Sequence, residues 1–149
     1  MGDTPIFEYF DERIADSLIK ANEALTGLPK FLDAQITDVK PGKLCARVEV
    51  RDDLLTPFGS LHGGVIAALV DHVLGCVLYP LMPRAACAAT TELKLNYLAA
   101  VRRGTLTAEA TVLALTKRTA VVRIEVRNGD RLACSAQGTV LVVEAPEKR

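Results

Sequence analysis

Phe58-Gly59-Ser60-Leu61-His62-Gly63-Gly64 leads without a break into Val65-Ile66-Ala67-Ala68-Leu69-Val70-Asp71. A polar, glycine-rich turn here becomes a long apolar helix carrying one carboxylate. The helix is expected from His62 to about Leu81, where Pro80 and Pro83 end it. Val65, Ile66, Leu69, Val70, Val73, Leu74, Val77, Leu78 and Leu81 surround almost its whole girth. A helix that is apolar all round is a buried helix, so the rest of the chain must wrap it.

The flanking sequence supplies the wrapping. Phe31 to Val39 and Leu44 to Arg51 read as strands joined at Pro41-Gly42. Beyond the helix, strands are expected over Ala88 to Leu98, Thr105 to Thr116, Thr119 to Arg127 and Arg131 to Val143. The last two are joined by the hairpin signal Asn128-Gly129-Asp130. Residues 4 to 27 read as one amphipathic helix: Ile6, Phe7, Phe10, Ile14, Leu18 and Leu25 recur at helical spacing, with Asp3 or Thr4 as cap, Pro5 in the first turn and Gly27 at the end. Long strands with short connections imply an antiparallel sheet. The expected class is α+β: a curved antiparallel sheet wrapped around one long central helix, plus an N-terminal helix. One domain spans 1–149, with residues 1–28 as a helical extension and 144–149 as a flexible tail.

The first N–H groups of a helix have no intrahelical partner and carry partial positive charge, which suits a developing oxyanion. A carboxylate in an apolar helix is costly unless something uses or pairs it. One short segment thus offers an oxyanion site and a candidate base, a combination suited to hydrolysis of an activated acyl group. No Ser-His-Asp triad is evident: Ser60 is not in a G-x-S-x-G turn, and His72, next to Asp71, faces elsewhere on a helix.

Bulk properties exclude other classes. Eighteen basic residues balance 18 acidic ones, so no overall basic field for nucleic acid exists. No apolar run reaches the ~20 residues of a membrane span, and the acidic first twenty residues do not suit a signal peptide. Cys45, Cys76, Cys87 and Cys134 are scattered among apolar neighbours, as reduced cysteines of a cytoplasmic protein would be. With His62 and His72 the sole histidines and no clustered cysteines, a zinc site is not expected.

Taken together, these motifs resemble the hotdog-fold acyl-CoA thioesterases of the phenylacetic-acid-degradation type, the PaaI-like family. The resemblance runs from about Leu54 to Val143. It includes Gly59 to Gly64, Asp71 nine residues after His62, Thr90 to Leu98 with Gly104 after it, the Lys117-Arg118 turn, and Ala133 to Val140. It implies a homodimer, usually paired into a tetramer, that hydrolyses acyl-CoA without cofactor. By position, Asp71 matches the catalytic carboxylate, and Gly63 the glycine whose N–H polarises the thioester carbonyl. Thr90 matches a hydroxyl that places the attacking water, and Arg118 a basic residue for CoA phosphates. Two positions depart from the family pattern. Thr56 stands where asparagine is usual, and a hydroxyl does not reproduce amide geometry. Lys117 stands where glycine is frequent.

The remaining candidates have competing readings. His62 is expected to fix the turn rather than act as a base. Gly64 permits close approach of substrate or neighbour, and Tyr97 lines the core or the substrate tunnel. His72 is a substrate-side, interface or solvent residue. Arg102, Arg103, Lys117 and Arg118 are either phosphate contacts or solvated turns.

Gly63 and Asp71 are eight residues apart, about 12 Å along a helix. Both cannot serve one carbonyl, which needs groups within about 3 Å. Either one of the two assignments is wrong, or two protomers build each site, with Gly63 of one facing Asp71 of the other; for an enzyme using both groups the spacing predicts a dimer. The expected function is hydrolysis of a medium-chain or aryl acyl-CoA, with no nucleic-acid or membrane partner. The alternative is a non-catalytic acyl-CoA binding or sensing module on the same fold.

Overall fold

A computed structural model describes residues 7–146. Helix α3 (Gly63–Cys76) lies against a six-stranded sheet of β1 (Gln35–Lys40), β2 (Lys43–Glu49), β4 (Thr105–Leu115), β5 (Thr119–Asn128), β6 (Arg131–Glu144) and β3 (Ala86–Tyr97), in that spatial order. Every neighbouring pair is antiparallel. Alternation along β4 and β5 places Leu106, Ala108, Ala110 and Val112, then Ala120, Val122, Ile124 and Val126, on the helix side, all essentially inaccessible. Ile66, Leu69, Val70, Val73 and Leu74 fill the space between the two layers. With the 3-10 turn Tyr79–Leu81, the central segment reaches a mean hydropathy of 1.8 over 18 residues, and over half of that stretch is buried inside the protein. It is the core helix of the expected architecture.

The core does not close around α3 completely. Gly64 and Asp71 are exposed, and Ala67, Ala68 and Gly75 half-exposed, along one stripe of the helix beside strand β3. The sequence implied wrapping on all sides, but alanine and glycine count as apolar without marking which face is covered.

The first sixty residues differ most from expectation. The single helix over 4–27 is instead α1 (Glu12–Lys20), a 3-10 turn at Ala21–Ala24, and α2 (Gly27–Leu32); the proposed caps at Asp3, Thr4 and Pro5 lie outside the described residues. Helix α1 starts late because Asp11 caps it, accepting from the N–H groups of Arg13 and Ile14. The backbone N–H of Asp11 donates to Pro80 at 2.8 Å, and its carboxylate meets Arg84 at 3.1 Å, tying this end to the foot of α3. Gly27, at φ +62, begins α2 rather than ending a helix, and Asp33 in the left-handed region stops it. Phe31 is therefore no strand residue: it is exposed on α2, with the Arg51 guanidinium 5.7 Å from its ring centre.

The two sheet edges are treated differently. At the β1 edge the Asn22 side chain both donates to and accepts from the Ile36 backbone, at 2.9 Å each. Along the β3 edge no described segment pairs with the outer backbone. Strand β3 also carries a bulge at Thr91, between the pairs Thr90↔Val140 and Glu92↔Thr139. The extra residue reverses the alternation, so Thr90 and Tyr97, seven residues apart, both face α3.

Candidate active site

Asp71 projects from the open stripe of α3, midway along the helix. The Thr90 hydroxyl donates to its Oδ1 at 2.9 Å, and Oδ2 has no hydrogen-bond partner among the described residues. One oxygen is thereby anchored and the other is available to a water or an electrophile. Neighbouring His72 turns away: its ring lies 3.8 Å from the Cys76 sulfur, and no hydrogen bond joins it to Asp71. Burial lowers the His72 pKa, opposed by the Asp71 charge, which favours a neutral ring at physiological pH. Burial pushes the Cys76 thiol up to about 12, which removes it as a nucleophile at neutral pH.

The other end of α3 is built by the loop before it. Thr56 N–H donates to Ser60 O at 2.7 Å, Gly59 N–H to Thr56 O at 2.9 Å, and Gly59 takes φ +74 to close the turn. Leu61 N–H then donates to Val101 O, and His62 N–H to Leu54 O. These bonds present His62 as the N-cap of α3. Its Nδ1 accepts from Gly64 N–H at 3.0 Å, so the side chain serves the turn. The Gly63 N–H has no acceptor among the described residues. It is an unused donor at the positive end of a fourteen-residue helix.

Thr56 occupies the usual asparagine position with its hydroxyl engaged locally, 3.3 Å from Ser60 Oγ and from Phe58 N–H. It braces the loop. Arg102 does the same, its Nη1 reaching Gly59 O at 3.4 Å and Phe58 O at 3.5 Å. Arg103, Lys117 and Arg118 are exposed and make no salt bridge among the described residues. Lys117 and Arg118 occupy the β4–β5 turn, held by Thr116 N–H to Thr119 O at 2.8 Å. Among the described residues no cluster of His, Cys, Asp and Glu could hold a metal ion. The cysteines are free as expected, but only Cys76 and Cys134 are in the core: Cys45, 3.9 Å from Glu109, and Cys87 are half-exposed.

Residues 58–135 match the thioesterase superfamily, just over half the chain, and the match includes Gly63, Asp71 and Thr90. The chain belongs to that superfamily. Among its relatives is 1,4-dihydroxy-2-naphthoyl-CoA hydrolase of Listeria monocytogenes, 29% identical over 117 residues, covering 78% of this chain and 95% of the relative. A thioesterase of Haemophilus influenzae has the same fold, with a TM-score of 0.81 at 24% identity over 91% of this chain and 94% of that one. A phenylacetic acid degradation-related protein of Ralstonia eutropha also superposes, with a TM-score of 0.75 at 21% identity over 83% and 98%. The hotdog fold expected from the resemblance is thus the fold of this thioesterase, and the protein is a thioester hydrolase.

Asp71 and Thr90 form one half of the candidate site and the Gly63 N–H the other. Helix geometry keeps the halves about 12 Å apart within the chain.

Proposed function

We propose that this thioesterase hydrolyses a medium-chain or aryl acyl-CoA to the free acid and CoA, at a site completed by a second copy of the chain. The observation that carries the proposal is the Asp71 carboxylate: exposed on the open stripe of the core helix, fixed through one oxygen by Thr90, and free at the other among the described residues. The unpaired β3 edge beside it favours the second copy, since a long bare edge strand is ordinarily covered. The small residues Gly64, Ala67, Ala68 and Gly75 let another helix approach closely along the same stripe. Two such helices running antiparallel across a twofold axis bring Gly63 of one protomer to Asp71 of the other.

In this reading the thioester oxygen accepts from the Gly63 N–H and from the field of the helix start. Asp71 Oδ2 takes a proton from water as the water oxygen attacks the carbonyl carbon. The C–S bond then breaks, and the proton held by Asp71 neutralises the departing thiolate. Direct attack by Asp71 through a mixed anhydride uses the same placement. Thr90, donating to Asp71, keeps lone pairs with which to orient the water. Arg103, Lys117 and Arg118, without salt bridges among the described residues, are available to CoA phosphates, whereas Arg102 is committed to its loop. The named substrate of the Listeria relative is an aryl acyl-CoA, which supports the aryl half of the proposal.

Free-thiol release from a panel of aliphatic and aryl acyl-CoAs tests it. Turnover of at least one aryl or medium-chain member is expected. Tight binding across the panel with no turnover would establish the non-catalytic acyl-CoA module instead.

A further inference from the structure

The paired glycines at the head of α3 raise a physical difficulty. A backbone flanked by glycine is loosely held, yet an oxyanion donor is effective because it is fixed before charge develops. The structure pins the Gly63–Gly64 peptide at both polar ends. Its carbonyl accepts from the Tyr97 hydroxyl at 2.9 Å, and its N–H donates to His62 Nδ1 at 3.0 Å. The peptide on the other side of Gly63 is held too, because His62 O accepts from Val65 N–H at 2.9 Å. With both flanking planes fixed, the direction of the Gly63 N–H follows.

Tyr97 is the less expected of these partners. It is 54% exposed, and its hydroxyl had open water as an alternative. Instead it reaches back to the first carbonyl of α3, while its ring closes over the glycine: a Cβ at Gly63 would stand 3.2 Å from Tyr97 Cζ. The Thr91 bulge is what turns Tyr97 toward the helix on the same strand that brings Thr90 to Asp71.

Resting on the assignment of Gly63 as the oxyanion donor, we infer that Tyr97 is a positioning residue for thioester hydrolysis. It aims the Gly63 N–H by holding the adjoining peptide and does not itself touch the reacting carbonyl. Its hydroxyl acts on the transition state, in which the oxygen facing the donor carries most charge, and hardly on the bound substrate.

Tyr97→Phe keeps the ring over Gly63 and removes only the hydroxyl. With a turned-over acyl-CoA, kcat should fall about fivefold to tenfold, the effect of one neutral hydrogen bond, with KM changed less than about twofold. The melting temperature should stay close to the parent's. In a Gly63→Pro background no N–H remains to be aimed, so adding Tyr97→Phe should cost nothing further. An unchanged kcat overturns the inference. So does a raised KM at constant kcat, which marks a substrate wall, or an equal loss persisting in the proline background, which marks a role unrelated to the donor. The unaltered protein and Asp71→Asn belong in the same assay. Absence of turnover by the unaltered protein, or full turnover by Asp71→Asn, defeats the hydrolase mechanism itself. Normal behaviour of both, with Tyr97→Phe at full rate, defeats only the role of Tyr97.

Discussion

Asp71→Asn should lower kcat on any turned-over acyl-CoA by about 10³-fold while leaving acyl-CoA binding nearly unchanged. General base catalysis typically contributes 10² to 10⁴-fold, and an amide neither accepts the water proton usefully nor attacks a thioester. The substitution is nearly isosteric. It keeps an oxygen to accept from Thr90 Oγ1 on an exposed part of the helix, so folding should be spared. Steady-state kinetics with isothermal titration separate the two effects. Activity within tenfold of the parent means that another group takes the proton. Lost binding together with lost activity means that Asp71 supports the architecture rather than the chemistry.

Gly63→Pro should cost a further 10² to 10³-fold in kcat relative to Gly63→Ala, the usual consequence of removing one oxyanion donor. Both substitutions place a Cβ near 3.2 Å from the Tyr97 ring, so that strain is common to the pair. They differ in the N–H. Proline is well suited to the first position of a helix, where the missing N–H had no intrahelical partner. The preceding residue, His62, already has φ −64 and ψ +131, the extended conformation that proline demands before it. Helix α3 should therefore form in both variants, and circular dichroism checks this. Equal activities for the alanine and proline proteins assign the oxyanion to some other donor.

The central part of the fold was legible because its signals agree. The apolar length of α3, its glycine-rich start, and the alternation in β4 and β5 each point to a sheet around a helix, and Asn128-Gly129-Asp130 joins β5 to β6 as expected. The N-terminal region was not legible, because the periodic Phe7, Phe10 and Leu18 pack on the core without belonging to one helix. A side-chain cap at Asp11 and a left-handed Asp33 decided the boundaries there, whereas the sequence pointed to Asp3 or Thr4 as the cap.

At the candidate site, the expectation that one helix holds Gly63 and Asp71 apart agrees with α3, which carries both. The pairing of Tyr97 with Gly63 was hidden for a specific reason. Strict alternation puts Thr90 and Tyr97 on opposite faces of β3, and only the bulge at Thr91 brings them to the same side. The available signal was the break in pattern itself, where Thr90 precedes Leu93, Leu95 and Tyr97 at an odd spacing.

Each pocket, on this account, draws its acid from one protomer and its backbone donor from the twin. Co-expression of Asp71→Asn and Gly63→Pro chains under different affinity tags isolates the mixed dimer directly. One of its two sites then carries both defects and the other carries none, so the purified heterodimer should show about half the parent activity although each variant alone is nearly inert. A mixed dimer as inactive as its two parents would contradict it, because both groups would then have to act from a single chain.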